Sequence, residues 1–262
     1  PGRVTDHDQI EAVAGAAVRA GGAELRARYR DGDAEAEYGT DDVKAAADRA
    51  AESRMLPVVR GAFPDHAVFA EEAGRFEGTG PYCWVVDPLD GTNDFAAGLP
   101  TFASSVAVLE DGDPALAAVR LPATGETYLA RRGTGVFHEG ERVAAESDVA
   151  LAASTVATIV GRDVPQDSEL SRQADAVREA LAGEVKRVID SWAPTVHSGL
   201  LARGRIQGLV QFHPDEGERA VTELLAAEAD AAVLREGPLY VAACDEKRSE
   251  SLWRAIARKR EP

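Results

Sequence analysis

The chain has 262 residues, 45% of them hydrophobic and 28% charged, the balance of an ordinary globular protein long enough to bury a sizeable core. Its 45 acidic residues outnumber 29 basic ones, for a net charge of −16, which argues against a nucleic-acid ligand because that role needs a basic surface to displace phosphate counterions. No run of about 18 apolar residues is present, which excludes a membrane-spanning helix.

The opening Pro1–Asp6 segment lacks the basic and apolar regions of a signal peptide, so a cytoplasmic location is expected. Cys83 and Cys244 form no CxxC pair and lie in apolar contexts, as buried structural thiols do. Lysine occurs only at Lys44, Lys186, Lys247 and Lys259. An acidic, lysine-poor, alanine-rich surface fits a salt-loving source, where salt screens self-repulsion. GC-rich coding that favours Arg and Ala is the competing account.

Along the chain, residues 8–30 carry apolar residues at helical spacing, with Ile10, Val13, Ala14, Ala17, Val18 and Leu25 on one face. Asp41 or Asp42 can cap a second helix running to Val59. A turn at Phe63–His66 leads into a short strand, 67–70, that ends at Glu71, and the next strand, 82–86, ends at Asp87. Two successive strands delivering acids at their carboxyl ends mark an active-site rim. Segments 104–109, 114–121, 126–130 and 135–138 read as strands, with Glu110-Asp111-Gly112-Asp113 the clearest hairpin turn.

From 154 onward the pattern alternates. Strands are expected at 154–160, 187–190, 206–212, 231–234 and 239–243, and helices at 167–181, 194–202, 218–229 and 245–258. Such alternation implies a mixed sheet covered by helices. One unit is expected over 1–262, with an α+β half over 1–147 and an α/β half over 148–262. The seam is a composition shift at Glu146-Ser147-Asp148.

The chemistry concentrates in Asp87-Pro88-Leu89-Asp90-Gly91-Thr92. Pro88 restricts the backbone at itself and at Asp87, so the chain turns and both carboxylates can converge. Gly91 lets the backbone approach a ligand, and Thr92 adds a hydroxyl. Hard oxygen donors of this kind suit magnesium or manganese better than zinc. An Asp-rich turn with no ligand is the plain alternative; the preceding strands and Glu71-Glu72 weigh against it. Clustered divalent cations would also let so acidic a protein accept an anionic substrate. Among the histidines His7, His66, His138, His197 and His213 there is no metal-binding spacing, and neither a GxSxG elbow nor a GxxxxGK[ST] loop occurs.

WVVDPLDGTNDF, preceded by FPDHAVFAEEAG, resembles the inositol monophosphatase family, within the magnesium-dependent, lithium-sensitive phosphatases, and the resemblance runs across nearly the whole chain. Asp42-Val43 with Asp48 is similar to the family's DLVTxxD segment, Gly133–Phe137 to its glycine-rich hairpin, and Gly204–Gly208 to its GRxDG stretch. The resemblance implies an α/β (α+β) five-layered αβαβα sandwich of the inositol monophosphatase and fructose-1,6-bisphosphatase type, usually dimeric, with two or three magnesium ions per site. It implies that Glu71, Asp87 and the Leu89 carbonyl hold the first metal and Asp87 with Asp90 the second. Gly91 and Thr92 would receive phosphate, and Thr92 with Asp48 would orient and deprotonate the attacking water. The substrate would be a small phosphorylated metabolite.

The late WDxAAG motif is where the pattern departs. Glu218 stands at its Asp position, with Asp215 as a fallback ligand, and a helix-terminal carboxylate as the bland reading. Gln211 stands where animal inositol phosphatases place a Glu on the sugar hydroxyls, which opens fructose 1,6-bisphosphate as a rival to inositol monophosphate. Two further alternatives are a phosphatase of 3′-phosphoadenosine 5′-phosphate and a non-catalytic relative that binds metal or phosphate.

Overall fold

The computed structural model describes residues 6–32, 36–38 and 43–260. The chain divides into two compact units, Pro1–Arg142 and Val143–Pro262, with the boundary a few residues upstream of Glu146. Asp41 and Asp42, expected as helix caps, lie outside the described residues.

The first unit opens with α1 (Asp6–Asp31), followed by a two-stranded hairpin of β1 (Ala36–Tyr38) and β2 (Val43–Ala45), then α2 (Ala46–Ala62). Next come β3 (Ala67–Ala70), β4 (Gly74–Phe76), β5 (Tyr82–Asp90) and the short helix α3 (Thr92–Ala96). Strands β6 (Ala103–Glu110), β7 (Asp113–Leu121), β8 (Glu126–Arg131), β9 (Gly135–His138) and β10 (Glu141–Val143) complete it. The eight-stranded sheet has the order β10-β9-β8-β7-β6-β5-β3-β4; β3 and β5 pair in parallel, and β5 through β9 form antiparallel neighbours.

Alternation along these strands sends Val68, Trp84, Val86, Val106 and Val108 to one face, where Ile10, Ala14 and Val18 of α1 and Met55 and Val59 of α2 cover them. The approach is close enough to require glycine in α1: a Cβ on Gly21 would come within 2.5 Å of Met55 Sδ. At the β6–β7 turn, Asp111 and Gly112 take φ of 52° and 92°, the left-handed pair that matches the twist of a two-residue hairpin.

The second unit is built from β11 (Thr155–Val160), α4 (Ser168–Glu184), β12 (Arg187–Ser191), α5 (Pro194–Ala202), β13 (Gly208–Phe212), α6 (Glu216–Glu228), β14 (Ala232–Glu236), β15 (Leu239–Ala243) and α7 (Glu246–Arg260). Its sheet order is β12-β11-β13-β15-β14, parallel across β12, β11 and β13 and antiparallel beyond. Val156, Val210, Phe212 and Val241 face the side packed by Val177 and Leu181 of α4 and Leu252 and Ile256 of α7. Ala157, Ile159, Leu209 and Tyr240 face Leu201 of α5 and Ala226 of α6. Helix α4 starts where its sequence predicts, because the Asp167 carboxylate accepts hydrogen bonds from the amides of Glu169 and Leu170.

Three expectations are corrected. Residues 43–45 form a strand rather than the first turn of α2. Strand β5 does not stop before Asp87 but continues to Asp90. The three-residue strands β1, β2, β4 and β10 were not foreseen; each is too short to show a periodicity of two.

Candidate active site

The DPLDGT segment is a bulged strand end. On a regular strand, residues three apart face opposite sides. Here Asp87 pairs with Ser105 and Asp90 with Ala103, so three steps along β5 match two along β6. The extra residue restores parity, and Asp87 and Asp90 project from the same face of the sheet. Pro88, which has no amide hydrogen to donate, sits inside the bulge, and its carbonyl accepts the Ser104 hydroxyl at 2.8 Å. The Asp87 carboxylate accepts the Leu89 amide at 3.1 Å, an Asx turn that closes the loop on itself.

Leu89 points the other way and anchors the loop. It is buried with Leu25 of α1, Ala47 and Ala51 of α2, Phe95 of α3 and Phe102. Gly91 follows with φ 82° and ψ 39°, a left-handed conformation that favours glycine, and starts α3. The Thr92 hydroxyl lies 3.0 Å from the Leu89 carbonyl and 3.5 Å from Asp48 Oδ1. One proton can serve one acceptor at a time, so this hydroxyl can pass between the two. Asp48 itself is 5% exposed and Asp90 3%.

Glu71 leaves β3 level with Asp87, since Ala70 pairs with Val86. The same end of the sheet thus carries Glu71, Asp87, Asp90 and Thr92, with Asp48 reaching in from α2. One participant was missed in the sequence. Glu52, 3% exposed, accepts the amides of Glu72 at 2.8 Å and Ala73 at 2.9 Å. Its spacing of four from Asp48 on the covered side of an amphipathic helix was the available signal.

The second unit's candidates, Glu218, Asp215 and Gln211, lie apart from that set in sequence. Glu218 is in the first turn of α6, its carbonyl accepting the Thr222 hydroxyl at 3.0 Å. Asp215, the fallback ligand, is committed to Arg162 Nε at 3.0 Å. Gln211 is fully buried and stands directly opposite Tyr240 on β15. Among the described residues, neither its amide oxygen nor its amide nitrogen has a hydrogen-bond partner, and the same holds for the Tyr240 hydroxyl. Burial drives the tyrosine's pKa upward. Burial also pushes both thiols up, Cys244 to about 11, which keeps them protonated and inert near neutrality.

Among the described residues, no three His, Cys, Asp or Glu side chains are gathered as a ready metal cage. The fit of a metal rests on donor chemistry: two carboxylates from one bulge, a third level with them and a main-chain carbonyl are the oxygen set a hard dication selects. Among the described residues, no helix is long and apolar enough to cross a membrane.

An eight-stranded sheet with a bulged acidic strand end and a five-stranded α/β sheet define the mixed α/β fold of the inositol monophosphatase type. Inositol monophosphatase from Anabaena matches it with a TM-score of 0.81 over 97% of both chains at 23% identity. The Thermotoga maritima inositol monophosphatase matches with 0.76 over 93% and 96% at 23% identity. The family model described as "Inositol monophosphatase family" matches residues 6–219, ending one residue past Glu218. In sequence, Nus factor SuhB of Pseudomonas aeruginosa is 33% identical over 185 residues, 70% of this chain and 68% of that protein. Fructose-1,6-bisphosphatase/inositol-1-monophosphatase of Thermotoga maritima is 39% identical over 117 residues, 45% of each. This chain belongs to the inositol monophosphatase family, whose members are generally magnesium-dependent.

Proposed function

We propose that the chain is a magnesium-dependent phosphomonoesterase of a small sugar or polyol phosphate, inositol monophosphate or fructose 1,6-bisphosphate. The observation that carries this reading is the Thr92 hydroxyl poised between Asp48 and the Leu89 carbonyl, beside a bulge that turns Asp87 and Asp90 to one face. Glu71, Asp87 and the Leu89 carbonyl would hold one ion and Asp87 with Asp90 a second, with manganese an acceptable substitute. Bound magnesium supplies charge neutralisation and a more acidic water.

The chain's own residues do the rest. Thr92 orients the water through its hydroxyl, and Asp48 takes the proton the hydroxyl relays. The amides of Gly91 and Thr92 receive the phosphoryl oxygens. Glu218 is the proposed last ligand of the second ion. The working form would be a homodimer.

A panel of phosphate esters assayed with and without magnesium tests the reading. Phosphate release should require the metal and vanish in Asp90→Asn. Release that persists without magnesium, or in Asp90→Asn, sinks the mechanism. A second reading, a factor that works through a partner without catalysis, is supported by the altered late motif and by relatives named Nus factor SuhB. Magnesium binding with no turnover of any ester in the panel would favour it.

A further inference from the structure

We propose that Glu52 is a positioning residue that sets the Glu71 ligand against the Asp48–Thr92 pair, so that α2 fixes the spacing between the two halves of the site. The inference rests on the assignment of Glu71 to magnesium.

Strand β3 ends at Ala70 and β4 begins at Gly74, and these two residues pair. Glu71, Glu72 and Ala73 are therefore a three-residue hairpin loop, closed by Gly74 at φ 79°, the left-handed position such loops require. A loop of this kind does not fix itself: two of its amides face away from the hairpin's own ladder. Both are taken by Glu52, one by each carboxylate oxygen, at 2.8 and 2.9 Å. The clamp thus falls on the two residues directly after Glu71.

Glu52 is 3% exposed, and among the described residues its hydrogen-bond partners are main-chain amides alone. Arg49, the nearby cation, approaches Glu72 instead, at 3.8 Å. A buried carboxylate is costly, yet it alone offers an acceptor oxygen to each of the two amides, where an amide side chain offers one. The charge gains a purpose beside a site that collects dications. Asp48 lies one helical turn earlier, about 6 Å away on the same face of α2, is 5% exposed and reaches Thr92. Ala47, Ala51 and Met55 lock that face into the apolar core. A rigid helix therefore carries two buried acids, one directed to the hydroxyl that handles the water and one to the loop that presents the ligand.

The test compares wild type, Glu52→Gln and Glu71→Gln. The glutamine amide keeps the shape of Glu52, but only one of its two ends can accept an N–H. Magnesium affinity is read by isothermal titration calorimetry, independently of turnover, and kcat is read at saturating magnesium. We expect the magnesium Kd of Glu52→Gln to rise about tenfold while kcat at saturation changes less than about threefold. Glu71→Gln should lose both. A Kd within about twofold of wild type overturns the proposal, as does a fall in kcat at saturation as large as the shift in Kd, which would indicate general damage. Should Glu52→Gln not fold, Glu52→Asp, one methylene shorter with the charge retained, is judged on the same criteria. If wild type itself neither binds magnesium nor releases phosphate, the functional reading fails; if wild type is normal and Glu52→Gln matches it, only the positioning role fails.

Discussion

Leu89→Ala tests whether the bulge is held from beneath. The substitution leaves the Leu89 carbonyl, both aspartates and Thr92 chemically unchanged, and removes only the side chain that seats the loop. Leu89 is 2% exposed and contacts elements on three sides: Leu25 from α1, Ala47 and Ala51 from α2, Phe95 and Phe102 from the segment beyond. Two of those neighbours are alanines on a rigid helix, so the space can collapse little. Buried Leu→Ala changes cost about 2–5 kcal/mol; we expect about 3 kcal/mol. For a chain of this size that corresponds to a melting temperature lower by roughly 6–12 °C. Near-UV circular dichroism measures the melt, and a magnesium titration of the folded variant measures whether the aspartates have lost their mutual placement. A melting temperature within about 2 °C of wild type would refute the anchor. A normal magnesium affinity in a strongly destabilised variant would refute the link between anchor and site.

Thr92→Val is nearly isosteric and removes one hydroxyl; it should lower kcat by about 10²–10⁴ while stability falls only about 0.5–1.5 kcal/mol. Phosphate release and thermal melts check both figures, and a kcat loss below threefold would remove Thr92 from the chemistry. Iodoacetamide should modify Cys244 slowly at pH 8 and faster as pH rises toward its pKa of about 11, because the attacking thiolate is scarce until then; rapid labelling of the folded protein at pH 8 contradicts its burial. The charge of −16 predicts unfolding in low salt and refolding in molar salt, followed by far-UV dichroism. Indifference to salt would leave coding bias as the account of the composition.

Much of the frame was legible because its signals are local. The Asp111-Gly112 turn announces its hairpin by chemistry that only a left-handed pair satisfies. Val106 and Val108 face α1 and α2, but Ser105 and Ala107 beside them are buried too, so hydrophobic alternation does not announce the sheet faces there. The bulge was not legible, because it is a property of a pair of strands: nothing within DPLDGT says that Ser105 and Ala103, rather than residues one step away, stand opposite. Glu52 was passed over for a related reason. An acid within a helix reads as a solvated charge until the partner amides, twenty residues on, are placed beside it. Pairing in three dimensions decides both cases.

The Gln211–Tyr240 layer has a consequence for how much stability the second unit holds in reserve. Two polar side chains face each other across β13 and β15, with three polar atoms that lack hydrogen-bond partners among the described residues. Each such group withdraws about 1–3 kcal/mol from folding, in a molecule whose whole margin is of the order of 5–15 kcal/mol. Methionine at 211 with phenylalanine at 240 would fill nearly the same volume and relinquish that debt. Gln211→Met with Tyr240→Phe should therefore raise the melting temperature, and a thermal melt of the double variant checks it; an unchanged or lower melt would show that these polar atoms are satisfied in solution.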